Sequence, residues 1–170
     1  WATSCSSDNS LVVQSNIYDE FMPKLVAQGG YLCNAEEVKA LEEMMFPNGK
    51  FNAKVAAQPA QTIAEWAGFK IPEDKTFIIC PYEGFGLKEH PLSFEKLSVV
   101  LAVYKRDTLD EMIQCVNDIH EVAGKGHSCA IQTTNDDHVM QLALRTHTSR
   151  VMVNQATSAA NTGNWNNGMP

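Results

Sequence analysis

The sequence predicts a layered α/β domain built on a mainly parallel sheet with right-handed crossovers. Three observations carry this. Short apolar runs of four to six residues alternate along the chain with longer stretches of helical spacing. The run from Val99 to Tyr104 is almost continuously apolar, as a strand covered on both faces must be. No internal repeat and no low-complexity linker interrupts the pattern, so residues 1–170 read as one domain.

The elements follow in order. Leu11-Val12-Val13-Gln14 reads as a short buried strand. Ser15 or Asn16 caps a helix through Tyr18, Phe21, Leu25 and Val26, with Pro23 as an irregularity and Gly29-Gly30 as its end. Asn34 followed by Ala35-Glu36-Glu37 is an N-cap with acids in the first turn. Val38, Leu41, Met44 and Met45 then mark an apolar helix face, which Pro47-Asn48-Gly49 stops. A further helix covers Thr62 to Ala67 and closes at Gly68. Phe77-Ile78-Ile79-Cys80 and Val99 to Tyr104 are strands. Thr108 caps a helix with Leu109, Met112, Ile113, Val116 and Ile119 on one side. After the turn Gly124-Lys125-Gly126, Ser128 to Ile131 returns as a strand. Asp136 starts a helix carrying Val139, Leu142 and Ala143, Val151-Met152-Val153 is the next strand, and Asn161 to Gly168 reads as loop. In such sheets ligands gather beyond the carboxyl ends of strands, which points to the turn at Gly126-His127 and the loop after Asn154.

Composition excludes several classes. Thirteen Lys and Arg against twenty Asp and Glu give a formal charge of -7, which argues against non-specific binding to nucleic acid or an anionic membrane. No apolar run approaches the ~20 residues that span a bilayer, and no signal peptide is visible. The five cysteines (Cys5, Cys33, Cys80, Cys115, Cys129) are odd in number and follow no disulfide framework, which fits a reducing cytoplasm. Four of them read as structural. No C-x-x-C and no pair of histidines at i, i+4 occurs, and His127 with Cys129 is too few ligands, so no metal is expected.

Cys5 is the candidate nucleophile. It lies in Ala2-Thr3-Ser4-Cys5-Ser6-Ser7-Asp8-Asn9-Ser10, a run of small and polar residues. Such neighbours leave room for a substrate carbonyl, and nearby backbone N–H groups can hold an oxyanion. The chain opens with Trp1, four residues earlier, so the other half of the site is expected on chain preceding residue 1. Gly124-Lys125-Gly126 fails the P-loop spacing and reads as a helix-ending turn.

Four motifs then occur in the order found in CoA-acylating aldehyde dehydrogenases: Cys5-Ser6-Ser7-Asp8-Asn9-Ser10, Phe94-Glu95-Lys96-Leu97-Ser98, Gly126-His127-Ser128 and Ser149-Arg150-Val151-Met152-Val153-Asn154-Gln155. Gly29-Gly30-Tyr31-Leu32 and Glu65-Trp66-Ala67-Gly68-Phe69 between them are also alike. The chain therefore resembles the nucleophile-bearing catalytic domain of that family over nearly its whole length. The resemblance implies the three-layer αβα catalytic domain of the aldehyde dehydrogenase fold. It also implies that most of the Rossmann domain precedes residue 1 and that Gly-rich tail segments follow Pro170.

The family reaction implied is oxidation of an aldehyde by NAD or NADP with transfer of the acyl group to coenzyme A. Cys5 matches the nucleophile, which passes through a thiohemiacetal and a thioester. A thiol of pKa near ~8.5 needs local activation for this. Glu95 matches the glutamate that binds the nicotinamide ribose hydroxyls. The proline that the family often carries four residues after this glutamate is Val99 here. His127 matches a histidine of the acylating branch that either relays a proton or contacts CoA. Read alone, Glu95 is a solvated charge beside Lys96, and Arg150 is a structural charge at a strand start.

Within the family, Ala2-Thr3-Ser4-Cys5 and the amide-rich stretch from Asn154 to Ser158 and through Asn164-Trp165-Asn166-Asn167-Gly168 look most like acylating sulfoacetaldehyde dehydrogenases. A sulfonate needs several donors and preferably a cation, which Thr3, Ser4, Arg150 and the amides can supply. Succinate semialdehyde needs a similar anion site, whereas acetaldehyde needs a small apolar one. A hydrolytic aldehyde dehydrogenase is the neighbouring alternative. A Cys–His acyltransferase or hydrolase using Cys5, His127 and Asn154 is a different class, and a non-catalytic assembly subunit is a third. The family commonly forms homo-oligomers, dimers or larger.

Overall fold

The structure is a computed structural model, and it describes residues 2–5, 7–157 and 160. The described elements run β1 (Ser10–Gln14), α1 (Ser15–Ala27), β2 (Gly30–Leu32), α2 (Ala35–Met45), α3 (Ala60–Trp66), β3 (Phe77–Pro81), β4 (Val100–Arg106), α4 (Leu109–Val122), β5 (Ser128–Ile131), α5 (Asp136–Arg145) and β6 (Arg150–Val153). Short 3₁₀ turns fall at Pro47–Gly49, Ala53–Val55 and Pro91–Ser93.

The main sheet has four strands in the order β1-β4-β3-β2, and every pairing in it is parallel. Residues alternate between its two faces as the period of two requires. Val12, Ile78, Cys80, Val100, Ala102 and Tyr104 enter one core with Leu41, Met45, Ile63 and Cys115 from α2, α3 and α4. Leu11, Val13, Phe77, Ile79, Leu101 and Val103 enter the other with Tyr18, Phe21, Met22 and Leu25 from α1. Helices thus cover both faces, giving the three-layer arrangement expected. The apolar run Val99 to Tyr104 is the consequence of a central strand having no wet face.

Helix boundaries follow their capping chemistry. Asn34 closes a capping box: its side chain accepts from Glu37 N–H at 3.0 Å while Glu37 accepts from Asn34 N–H at 2.9 Å. Thr108 and Glu111 repeat the device at α4, at 3.2 and 3.0 Å. Pro23 does not end α1. The hydrogen bond it removes would have ended on the Asp19 carbonyl, and both residues are exposed, so water can serve that carbonyl.

Two expectations change. Gly30–Leu32 is a strand, where the sequence showed only a helix end. Three residues are too few to show a period, and the strand begins with a glycine for a packing reason. A Cβ on Gly30 would lie 2.4 Å from Ile79 Cδ1 and 2.9 Å from the Phe77 ring. The second change is that β5 and β6 pair in parallel with each other as a separate two-stranded sheet.

Ile79 is fully buried under α1, in the smaller of the two cores. Ile79→Ala is expected to destabilise the chain by about 3 kcal/mol, whereas Asn34→Ala, which removes only a cap, costs about 1 kcal/mol. Urea denaturation of the two variants checks this ordering; equal losses would contradict the assignment of Ile79 to a close-packed face.

Candidate active site

Cys5 sits on an exposed turn at the amino end of β1. The Ser7 N–H donates to the Ser4 carbonyl at 2.9 Å and closes this turn across Cys5. Thr3 and Ser4 are exposed beside it. The chain enters the turn through Ala2 at φ 49, a left-handed conformation. The thiol is therefore presented to solvent on a tight backbone feature, with small polar neighbours on its N-terminal side.

The Glu95 loop is tied to the segment between the Cys5 turn and β1, although ninety positions separate Glu95 from Cys5 in sequence. The parallel register of β1 with β4 sets Ser10 opposite Ala102. The segment leading into β4 therefore lies alongside the segment leading into β1. Asn9 joins them directly. Its Nδ2 donates to the Phe94 carbonyl at 3.1 Å, and its Oδ1 accepts from the Lys96 N–H at 3.1 Å. Phe94 packs edge-on against Phe46 at 6.1 Å, and Lys96 is buried, so Glu95 is the outward residue between two inward ones. Leu97 has φ 43, and its carbonyl accepts from Ala57 N–H at 3.3 Å, which fixes the far side of the loop.

Lys96, which the sequence reading named only as the neighbour of Glu95, is buried. Its Nζ donates to the carbonyls of Leu92 at 2.6 Å and Phe94 at 3.2 Å inside the protein. Burial pulls its pKa down to about 7, and Cys80 and Glu95 oppose this only in part. The Cys80 thiol beneath it is pushed well up, first by its hydrogen bond with Cys33 and then by burial. No signal in the sequence marks Lys96 as buried, because its burial depends on two carbonyls that only the folded loop turns inward.

His127 and Arg150 form a second group. Gly124 and Gly126 both have positive φ, 102 and 85, and the His127 N–H donates to the Gly124 carbonyl at 2.8 Å. Ser149 donates to the His127 carbonyl from both its N–H, at 2.8 Å, and its Oγ, at 2.9 Å. Strand register sets Ser128 opposite Arg150, so His127 and Arg150 begin adjacent strands at the same end. Both are exposed. His127 Nδ1 lies 2.9 Å from Ser128 Oγ. The half-buried His120 nearby has its pKa lowered, by burial foremost and then by the charges of His127 and His147.

Cys5, Glu95, His127 and Arg150 all lie at the amino ends of their strands, contrary to the expectation of a site beyond the carboxyl ends. The carboxyl-end rule describes ligands held by the strand-to-helix loops of a complete doubly wound sheet. Here the Cys5 turn and the Glu95 loop are the segments that enter strands. The 14-residue α4 packs along β1 and β4 and runs back towards the end where those strands begin, so the turn that carries His127 follows at that end. Among the described residues, no hydrogen bond joins the Cys5–Glu95 pair to the His127–Arg150 pair. Two open clefts run along α4 beside Phe85 and Asp118, and none of these four residues lines them. Asn154 holds the carboxyl end of β6: its Oδ1 accepts from Thr133 N–H at 2.9 Å and its Nδ2 donates to the Thr133 carbonyl at 2.8 Å. The amide-rich tail from Asn164 to Gly168, like Ser158, lies outside the described residues. Among those described, no group of three or more His, Cys, Asp or Glu side chains is arranged to hold a metal ion, and no helix is long and apolar enough to cross a membrane.

The fold is that of the aldehyde dehydrogenases. An acetylating aldehyde dehydrogenase from Geobacillus thermoglucosidasius superposes with a TM-score of 0.89 at 31% identity, over 93% of this chain and 35% of its own. A probable aldehyde dehydrogenase from Listeria monocytogenes gives 0.88 at 29% identity, over 92% and 35%. No protein-family model matches the chain. Curated sequences narrow the class. A sulfoacetaldehyde dehydrogenase from Acholeplasma is 41% identical over 99% of this chain and 36% of its own length. An acylating sulfoacetaldehyde dehydrogenase from Cupriavidus necator is 36% identical over 99% and 34%. In sequence and in fold, the chain corresponds to one region of the acylating aldehyde dehydrogenases. It spans about a third of the length of the relatives it matches.

The buried amine of Lys96 gives a pH signature. Unfolded, it titrates at its ordinary value of 10.5; folded, at about 7. Between these values the unfolded chain binds the additional proton, so stability rises as pH rises from 7, and below 7 the difference vanishes. The gain from pH 7 to 9 is about 2 kcal/mol. Lys96→Met should lose that slope in urea midpoints taken at pH 7, 8 and 9; an unchanged slope would contradict the burial of a charge-capable amine there.

Proposed function

We propose that this chain is the nucleophile-bearing part of an enzyme that converts an aldehyde, CoA and NAD or NADP into the acyl-CoA and the reduced nicotinamide. The observation that carries this reading is the exposed Cys5 thiol on a turn of small residues, followed within four positions by Asn9, which hydrogen-bonds both neighbours of the exposed Glu95. Cys5 attacks the aldehyde carbon to form a thiohemiacetal and then carries the acyl group as a thioester. Its own N–H is the oxyanion donor this chain offers. When bound, the nicotinamide supplies the hydride acceptor and CoA the thiol that removes the acyl group. A carboxylate on a backbone held from both sides fits a partner with vicinal hydroxyls, so Glu95 is assigned to the nicotinamide ribose. The Nδ1 contact with Ser128 leaves His127 Nε2 for a proton relay or for contact with CoA.

The aldehyde we assign is sulfoacetaldehyde, with Thr3, Ser4 and Arg150 as the groups for its sulfonate. Three relatives at 35–41% identity carry that substrate in their names. A succinate-semialdehyde dehydrogenase (acetylating) from Clostridium kluyveri, at 32% identity, keeps a carboxylate-bearing aldehyde as the second reading. All five cysteines are free, which supports a reducing cytoplasm. The complete enzyme is expected to be a homo-oligomer, a dimer or larger.

The test is CoA-dependent NAD(P)H formation by the complete enzyme across sulfoacetaldehyde, succinate semialdehyde, acetaldehyde and glycolaldehyde. Sulfoacetaldehyde should give the highest kcat/KM. Acid formed without CoA would overturn the acylating reading, and thioester turnover with no nicotinamide reduction would favour the Cys–His acyltransferase instead. Cys5→Ala is expected to lower turnover by roughly 10³-fold or more, the scale on which loss of a catalytic nucleophile acts.

Glu95→Gln should raise the KM for the nicotinamide cofactor about tenfold, with the KM for CoA unchanged, because a charge-assisted hydrogen bond contributes ~1.5–3 kcal/mol. Steady-state kinetics with each substrate varied in turn separates the two constants.

A further inference from the structure

We propose that Asn9 is a positioning residue for the nicotinamide cofactor: its carboxamide sets where the Glu95 carboxylate stands relative to the Cys5 sulfur. This inference rests on the reading of Cys5 and Glu95 given above and extends it to a residue outside that reading.

The geometry is specific. Asn9 makes two hydrogen bonds, both 3.1 Å long, to the residues immediately before and after Glu95. A carboxamide that donates to a carbonyl and accepts from an N–H copies what a neighbouring strand's peptide would offer. It does so where no strand ladder is present. The β1–β4 ladder begins at Ser10 and Ala102, and the Glu95 segment lies before Val100, ahead of β4. The side chain of Asn9 therefore ties the segment entering β1 to a loop that lies outside the ladder. Serine or alanine at this position cannot reach both partners, and aspartate would set an oxygen against the Phe94 carbonyl.

The placement along the chain matters as much. Only three residues lie between Cys5 and Asn9, and the turn closed by Ser7 N–H and the Ser4 carbonyl spans Cys5 itself. The link from sulfur to carboxylate thus runs through one short turn and one amide. The Phe94 carbonyl also accepts from the buried Lys96 Nζ at 3.2 Å, so the backbone before Glu95 is held from the Asn9 side and from the Lys96 amine. With the backbone on either side of Glu95 fixed, only its own side-chain torsions remain to move the carboxylate. Loss of the Asn9 contacts releases that backbone and leaves Cys5 exposed as before.

The experiment is a double-mutant cycle in the complete enzyme, with Asn9→Ala and Asn9→Ser, each alone and combined with Glu95→Gln. The readouts are the dissociation constant of NAD(P)H from its fluorescence, the KM for CoA, and the rate at which Cys5 is alkylated by iodoacetamide. Each Asn9 variant is expected to weaken NAD(P)H binding about tenfold, the scale of one or two part-buried hydrogen bonds. The KM for CoA and the alkylation rate should stay within about twofold of the parent enzyme, the spread left when a contact is unaffected. In the Glu95→Gln background the same substitutions should add little, because Asn9 acts through that carboxylate. Additive losses in the cycle, or full cofactor affinity in both Asn9 variants while Glu95→Gln binds weakly, would overturn the positioning role. Full affinity in Glu95→Gln alone would remove Glu95 from the cofactor site, and the role of Asn9 with it; this outcome is distinct from the first two. Thermal melts of each variant separate misfolding from loss of position, and the serine variant keeps a hydroxyl at the site should the alanine variant fail to fold.

Discussion

The parallel pairing of β1 with β4 is the constraint on which the rest depends. It sets Ser10 beside Ala102 and so joins two stretches of chain about ninety residues apart. Because the strands run the same way, the segments entering them meet at one end of the sheet. Cys5 lies on one of these segments and Glu95 on the other. A parallel pair cannot be closed by a tight turn, so α1 to β3 lie between the two strands in sequence. The site is thus a product of the long-range core and not of a local motif.

The two cores explain why this junction is rigid. β3 and β4 are buried on both faces, under α1 on one side and under α2, α3 and α4 on the other. Side chains of the Glu95 loop continue that packing: Phe94 enters the larger core, and Lys96 follows it inward with its amine capped by two carbonyls. A buried amine is costly unless its protons find acceptors. The Leu92 and Phe94 carbonyls meet that need while the proton remains easy to lose. The loop therefore gains its shape from polar contacts inside the protein and presents its single outward charge, Glu95, to solvent.

The second sheet has a different character. β5 and β6 are four residues each, and only Met152 in them is buried. His127 and Arg150 are held by backbone hydrogen bonds and strand register with little core beneath them. The relatives are about three times as long as this chain. Cys5 is likewise exposed on its turn.

Much of this was legible from sequence. Alternating apolar runs located β1, β3, β4, β5 and β6, and the Asn34 and Thr108 caps located the starts of α2 and α4, because both signals are local and follow from the geometry of a single element. β2 was not legible, since three residues carry no period and its glycine is required by Ile79 and Phe77 across the sheet. Cys5, Glu95, His127 and Arg150 were visible as residue types in a family order, and the exposed setting of Cys5 followed from its small neighbours. That Lys96 is buried and that Asn9 ties the Glu95 loop to the segment following Cys5 were decided only by the tertiary structure. Those facts rest on which strand lies next to which, and the pairing energy of parallel strands is shared among residues too distant in sequence to leave a local mark.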